Sequence, residues 1–575
     1  MISFPRHVAR LVKPFWVSDH ALTTWGLFAV ILAAEFGTVY LAVLFNFWNN
    51  DFYNAIQTMD PAAFGSSLLT FSGLAAVFTL VAVYNTYLTG LLTLRWRRHL
   101  TDRLIGRWLG ERVHHLLQVK QIYADNPDQR IQEDIDRFTT QSIRLFFRIL
   151  NATVTLFSFI FILWGLSGSL EVTLFGQTVV IEGYLVWAAV AYNIVGTALA
   201  HWIGRPLITL LYDKQAREAD FRYSLVRLRD HSEQITQMGG EAAEARVLGQ
   251  RFAAVCRNTQ AVLNRTKALS FFQASFSQVA IVFPFITAGP RFFSGALSFG
   301  GLMQISNAFG QVQSTLSFFV HAYTDIADWK AVTDRLTRFE QALWLAERKT
   351  DEEAIRRVRW HAAKPGQTAP ASHQLLRSQA LCLTAPMGGQ ILDGITLEIQ
   401  PGERVLIQGP SGIGKSTFLR AISGSWRFGQ GTLWIPPEPV SYMPQRPYLP
   451  LGTLRQAVTY PDPGDKAKPG EVEGLLRTVG LPALIGRLDE EQAWDQILSL
   501  GQQQKLAFAR VLLRDPAWIF LDEATSSLDR DAEAWLYGLL VERETTLVSI
   551  GHRPELVRFH TRCIDFTAYR DLKAA

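Results

Sequence analysis

Cysteine is almost missing from this chain: Cys256, Cys382 and Cys563 are the three it has in 575 residues. They are too few and too scattered to frame a disulfide-knit domain or a metal cluster. Charge is thin as well, at 19% of residues against 48% hydrophobic, and the mean hydropathy is +0.09. That balance excludes a disordered chain and a fibrous repeat. A purely soluble enzyme is excluded too, because long apolar runs fill the chain up to about residue 325 while the remainder reads as an ordinary soluble domain. The net charge is +5; its distribution says more than its size, and no nucleic-acid partner is expected.

Six stretches are long and apolar enough for a bilayer about 30 Å thick, which takes roughly 20 helical residues. They lie near 21–45, 68–94, 145–166, 184–212, 269–285 and 299–323. The second contains no charged residue at all. The fifth and sixth are weaker, broken by Pro284, Pro290 and several glutamines and serines.

Lysine and arginine are absent from two connections, 51–67 and 167–183, which hold only acids. By contrast Arg6, Arg10 and Lys13 precede the first span, Arg95, Arg97 and Arg98 follow the second, and Arg205, Lys214 and Arg217 mark the end of the fourth. The positive-inside bias therefore predicts cytoplasmic termini and outward-facing odd-numbered loops. The first apolar stretch is too long for a signal peptide, and no cleavage site precedes it.

The two inner connections are long and read as amphipathic helix, with Ile105, Trp108, Leu109, Val113 and Leu116 at helical spacing. They are expected to carry the spans onward into the cytoplasm. Polar side chains within spans five and six, Gln304, Asn307 and Gln311 among them, suggest that these spans partly line an aqueous cavity. Each such amide is open to two readings, a pathway residue or a helix–helix hydrogen bond. Glu35, the lone deep carboxylate, is either a proton- or cation-sensing group or a carboxyl bonded to neighbouring helices.

After a Pro/Ala-rich linker (339–373), a strand-like run at Arg404–Gln408 leads into Gly409-Pro410-Ser411-Gly412-Ile413-Gly414-Lys415-Ser416-Thr417. This is a phosphate loop in its required context, after a strand and opening an apolar helix. Backbone N–H groups turn inward around phosphate oxygens, Lys415 is placed for the β/γ-phosphates, and the Ser416 hydroxyl for Mg²⁺. Farther on, the apolar run 518–521 ends in Asp522 and Glu523. Asp522 is placed to hold Mg²⁺ and Glu523 to act as general base on the attacking water.

Three further pieces resemble the motifs of ATP-binding cassette (ABC) proteins: Leu498-Ser499-Leu500-Gly501-Gln502, Met443-Pro444-Gln445, and Ser549-Ile550-Gly551-His552, with Ser526-Ser527-Leu528-Asp529 matching the aspartate loop. The resemblance implies two cassettes sandwiching two ATP molecules, so that one six-span, one-cassette chain works as a homodimer. It implies that Ser499, Gly501, Gln502 and Asp529 join the ATP site, that Gln445 senses Mg²⁺ and water, and that His552 steadies the γ-phosphate. Two departures are visible: Leu500 replaces the usual signature glycine, and no aromatic stands at Thr384-Ala385-Pro386 to stack on adenine.

The wording at Tyr442–Tyr448 and Asn126–Ile131 is similar to the peroxisomal fatty-acyl transporter subfamily, and Phe47–Gln57 resembles bacterial SbmA/BacA-type transporters. The implied fold is a polytopic α-helical, exporter-like membrane domain (21–338), preceded by a cytoplasmic segment (1–20) and fused through the linker to an α/β P-loop ABC ATPase domain (374–575). The implied function is an ATP- and Mg²⁺-dependent transporter of the bacterial inner membrane, an ATPase that moves a hydrophilic solute such as a peptide or cobalamin inward. The alternatives are a fatty-acyl or acyl-CoA transporter and a regulatory membrane ATPase.

Overall fold

The computed structural model describes residues 4–19, 21–122, 126–174, 177–348, 355–359, 375–386, 388–436, 439–462 and 467–569. The Pro/Ala-rich stretch at 364–370 lies outside the described residues. The chain forms two compact units, Met1–Ile105 with Asp125–Phe339, and Gly106–Ala124 with Glu340–Ala575.

In the first unit, α1 (Phe4–Trp16) is followed by α2 (Ala21–Gln57) and α3 (Pro61–Leu109). A short helix, α4 (Val113–Val119), belongs to the second unit. Then come α5 (Ile135–Ser167), α6 (Tyr184–Asp230), α7 (Glu241–Phe293) and α8 (Phe299–Glu347). Five helical stretches among the described residues are long and apolar enough to cross a membrane: Ala21–Gln57, Pro61–Val119, Pro127–Ser167, Tyr184–Asp230 and Glu241–Phe293. The expected sixth span lies in α8, whose glutamines and asparagine dilute its apolar content. The spans run on as helix, α3 to Leu109 and α6 to Asp230, and α7 begins at Glu241, but the spacing read across Ile105–Leu116 is broken at Glu111 and Arg112, whose φ of 45° and 65° end one helix before Val113 starts the next. The acidic connection after α5 is a hairpin, β1 (Ser169–Leu174) paired antiparallel with β2 (Gln177–Glu182).

Apolar spacing explains the packing. Ile305, Phe309 and Val312 fall on one stripe of α8 and pack with Phe159 and Leu163 of α5 and Leu185 and Ala189 of α6. A polar seam joins α2 to α8 beside them. Asn46 Nδ2 donates to Gln304 O (3.2 Å) and Asn307 Oδ1 (3.1 Å), and Asn50 Nδ2 to Gln304 Oε1 (2.7 Å). Asn54 Oδ1 accepts from Gly300 N at 2.9 Å. Hydrogen bonds of this kind are worth about 0.6–2 kcal/mol each in a bilayer.

In the second unit, Gly106–Ala124 is tied to residues of the 340–575 segment. Arg107 grips Glu347 with two bonds of 2.9 Å. Arg112 Nη1 donates to Ser423 O (2.7 Å), and Arg427 Nη2 to Glu111 O (3.2 Å).

Among the described residues the ATPase unit has two larger sheets and a two-stranded pairing of Gly452–Thr453 with Glu491–Gln492. Strands β3 (Arg356–Arg359), β7 (Gly429–Ile435), β4 (Leu376–Thr384) and β5 (Gln390–Ile399) form one, in that order. The other is parallel, in the order β11 (Arg562–Asp565), β6 (Arg404–Gln408), β10 (Thr546–Ile550), β9 (Trp518–Asp522) and β8 (Val440–Met443). Its central strands are near-continuous apolar runs, as burial on both faces requires. Helices α9 (Lys415–Ser423), α10 (Leu500–Arg514) and α11 (Arg530–Val541) complete the unit.

Candidate functional site

Strand β6 delivers the chain into the phosphate loop, and α9 begins at Lys415. Gly409, Gly412 and Gly414 hold φ of 138°, 82° and 108°. At Gly414 a Cβ would stand 2.7 Å from Ile391 Cγ2, so the turn excludes any side chain. Ile413 is buried and anchors the loop, while Ser411 is exposed and Thr417 lies in the first turn of α9. The buried Lys415 ammonium donates to Gly409 O (2.7 Å) and Pro410 O (2.9 Å). Burial pulls its pKa down, against the opposing charges of Glu523 and Asp522.

Strands β9 and β10 lie side by side, so Asp522, Glu523 and His552 leave the sheet at one edge. Ser416 Oγ donates to Asp522 Oδ1 at 2.8 Å. Burial pushes the Asp522 carboxyl up, and the Ser416 bond works against it. Glu523 sits at φ 49°, in the left-handed region, where a non-glycine residue is strained and the surrounding structure must hold it. Its N–H donates to Ile550 O at 3.1 Å. Its two carboxylate oxygens meet Gln445 Nε2 (3.1 Å) and His552 Nε2 (3.2 Å), and His552 Nε2 is 3.4 Å from Lys415 Nζ. Lys415, His552, Glu523 and Gln445 thus make one continuous polar chain.

The signature residues are organised separately. Ser499 caps α10, accepting from Gln502 N at 3.3 Å, while Gln502 Oε1 accepts from Ser499 N at 3.0 Å. This reciprocal box is worth about 1 kcal/mol. At Gly501 a Cβ would lie 3.1 Å from Ser527 O. Asp529 caps α11 by accepting from Ala532 N at 2.7 Å, and that bond holds its carboxyl below the usual range. Among the described residues, neither Ser499 nor Gly501 hydrogen-bonds to the phosphate loop. Gln504, which closes the signature run in sequence, is fully buried and has a role the motif alone does not give: it donates to Gln445 O (3.0 Å) and accepts from Ser527 N (3.2 Å), joining the Met443-Pro444-Gln445 segment to the aspartate loop. The aromatic missing from Thr384-Ala385-Pro386 has a neighbour from elsewhere, since Trp426 Nε1 donates to Thr384 O at 3.1 Å.

The membrane unit holds a cavity of about 1120 Å³ between α2, α3, α5 and α8. Glu35 and Gln311 line it. Gln304 and Asn307 are not among its lining residues; they belong to the seam with Asn46 and Asn50. Of the two readings open to these amides, the helix–helix one holds for Gln304 and Asn307. Asn85 Nδ2 donates to Glu35 Oε1 at 2.8 Å and Asn151 Nδ2 to Oε2 at 2.7 Å. Asn85, a lone amide in an uncharged span, was the signal available in the sequence.

A family model described as ABC transporter transmembrane region 2 matches residues 11–293, and one described as ABC transporter matches residues 392–526. Over 552 residues the chain is 34% identical to the inner membrane ABC transporter ATP-binding protein YddA of Escherichia coli (strain K12), covering 95% of this chain and 94% of that protein. It is 30% identical over 618 residues to the chloroplastic ABC transporter D family member 2 of Arabidopsis thaliana, covering 97% and 85%. It is 25% identical over 582 residues to the lysosomal cobalamin transporter ABCD4 of Homo sapiens, covering 96% and 93%. Among solved structures, a bacterial Atm1-family ABC exporter with ATP bound has the same fold, with a TM-score of 0.67 at 19% identity over 95% of this chain and 94% of that one.

Proposed function

The chain belongs to the ABC half-transporters of the D subfamily, and from that premise we propose that it works as a homodimer moving a hydrophilic solute, such as a peptide or cobalamin, inward across a bacterial inner membrane. It is a multi-pass membrane protein with an exporter-type fold and an ATPase domain coupled to transport. The observation that carries the mechanism is the unbroken polar chain Lys415–His552–Glu523–Gln445.

In this reading the phosphate loop, residues Gly409 to Thr417, wraps the ATP phosphates with Lys415 on the β/γ oxygens. Ser416 and Asp522, with the amide oxygen of Gln445, are hard oxygen donors of the kind Mg²⁺ takes. Bound there, Mg²⁺ would neutralise charge developing on the phosphates. Glu523 accepts the proton of the attacking water as its oxygen bonds the γ-phosphorus, the bond to the bridging oxygen breaks, and ADP and phosphate leave. His552 holds the γ-phosphate oxygens. Ser499, Gly501, Gln502 and Asp529 serve the site on the partner subunit. Adenine lies against Trp426.

Loops without lysine or arginine at 51–67 and 167–183 support cytoplasmic termini and a cytoplasmic ATPase domain. The SbmA/BacA-like wording at Phe47–Gln57 supports inward movement of hydrophilic cargo, and a human relative named as a cobalamin transporter supports the class of cargo. An acyl-CoA cargo needs arginines free for phosphates. Arg291 donates to Leu166 O at 2.9 Å and Arg148 pairs with Asp325 at 3.5 Å, while Arg205 and the cavity-lining Arg144 have no such pairing among the described residues, so this alternative stands as the second reading. The deciding experiment is labelled cobalamin uptake by bacterial cells lacking their own transporter, comparing the wild type with Glu523→Gln. Uptake lost in the variant supports an ATP-driven importer; uptake that persists, or is absent from both, counts against this reading.

A further inference from the structure

We propose that the cavity between α2, α3, α5 and α8 is the cargo site and that Glu35, with Asn85 and Thr38, forms an acceptor pocket in it for a cationic hydrogen-bond donor of the cargo, a primary ammonium or guanidinium. The proposal rests on the transporter reading above and, of the two solutes named there, favours the peptide.

A carboxylate within a span costs about 3 kcal/mol, so its retention calls for a compensating partner. Among the described residues Glu35 has no basic partner; its oxygens are held by the neutral amides of Asn85 and Asn151 at 2.8 and 2.7 Å. Each carboxylate oxygen keeps acceptor capacity beyond those bonds. Asn85 Oδ1 points the same way: it is buried and has no hydrogen-bond partner. A buried orphan acceptor costs about 1–3 kcal/mol. Thr38, which also lines the cavity, spends its hydroxyl proton on Glu35 O at 2.7 Å; its oxygen accepts only a long contact from Asn151 Nδ2 at 3.5 Å and keeps a second lone pair. The pocket is therefore short of donors and carries one unmatched negative charge. A donor bearing positive charge satisfies both deficits at once, which a neutral amide or an anion does not.

Among the described residues no arginine of the wall is bonded to Glu35: Arg144, which also lines the cavity, stands seven residues from Asn151 along α5, about 10 Å at the helical rise. Arg97 lines the same cavity but is paired with Asp136 at 2.9 Å. It stands 12 residues from Asn85 along α3, about 18 Å at the helical rise. Arg148 is engaged by Asp325 at 3.5 Å and lies over the Phe318 ring. Phe78, Phe147 and Phe318 give an otherwise threonine-rich wall its apolar patches, which suit a cargo group with a short apolar stem.

The test uses the full-length protein in lipid nanodiscs with the tripeptide Lys-Leu-Lys as probe, in its free-amine form and fully acetylated. The wild type is expected to bind the free-amine form about tenfold or more tightly than the acetylated one, the scale of one charge-assisted contact. Glu35→Gln, whose amide can satisfy Asn85 Oδ1, should bind both alike, and Glu35→Asp should keep the preference. Equal binding of the two peptides by the wild type, no binding of either, or a preference that survives in Glu35→Gln overturns the proposal. ATP-dependent uptake into proteoliposomes separates the two levels of inference. Cobalamin or acetylated peptide that still moves with ATP leaves the transporter reading standing while the Glu35 pocket falls. Failure of every cargo to move removes the transporter reading itself.

Discussion

Glu523 and Lys415 make the sharpest pair of variants because their contacts differ in kind. Lys415 binds main-chain oxygens of its own loop, so Lys415→Ala should lose the ammonium that meets the phosphates and weaken nucleotide affinity by about 10- to 100-fold, the worth of one or two charged hydrogen bonds. Equilibrium binding of a fluorescent ATP analogue measures it. Glu523→Gln keeps the shape and the Gln445 contact but removes the base; binding should persist while steady-state hydrolysis falls about 10²- to 10⁴-fold. Trp426→Ala should raise the KM for ATP with little change in kcat, by roughly the 1–3 kcal/mol of a base–aromatic stack.

His560 supplies the pH dependence. Burial holds its pKa below the ordinary value, with the Leu556 carbonyl at 2.7 Å opposing the shift. Between that lowered value and about 6.5 the folded chain binds fewer protons than the unfolded one. Stability is therefore complete above about pH 6.5 and declines as the pH falls through that window. Melting temperatures at several pH values should show the decline, and His560→Gln should flatten it.

At the scale of elements, sequence patterns carried the spans and the phosphate loop because both rest on local rules: an apolar run of sufficient length, and glycines at fixed spacing before Lys415. They did not carry the division of labour among the amides. Gln304, Asn307 and Gln311 look alike in sequence, but only Gln311 reaches the cavity, since α2 comes close enough for Asn46 and Asn50 to capture the other two. Trp426 was illegible for the same reason, lying 42 residues from the Thr384 carbonyl it meets. The close approach of α2 and α8 has its own consequence at Gly300, where a Cβ would collide with Asn50 O and Asn54 Oδ1. Gly300→Ala should lower the melting temperature in detergent by several degrees, and an unchanged value would mean the seam yields.

For the whole molecule, the question is where a complete ATP site forms. Among the described residues Ser499 bonds to Gln502 and Gly501 lies against Ser527 of the same unit, which fits a site completed by a second copy. Lys415→Ala and Ser499→Arg homodimers should each fail to trap ATP. Co-expressed, they can form mixed dimers with one intact composite site, and nucleotide trapping should recover to about one ATP per mixed dimer. No recovery would argue that each chain builds its site alone.

The length of α6 and α7 has a mechanical meaning. Helix α7 has 53 residues, about 80 Å at the helical rise, of which the hydrocarbon layer needs about 30 Å. Paired with α6, it is a stiff bar held near one end, with some 50 Å of arm beyond the pivot. A tilt of about 10° at the pivot sweeps the free end through roughly 9 Å by the same geometry. Small adjustments at the membrane end are thereby magnified into displacements the size of a side chain, and the trade runs in reverse: a large stroke at the far end is geared down to a small, forceful one within the bilayer.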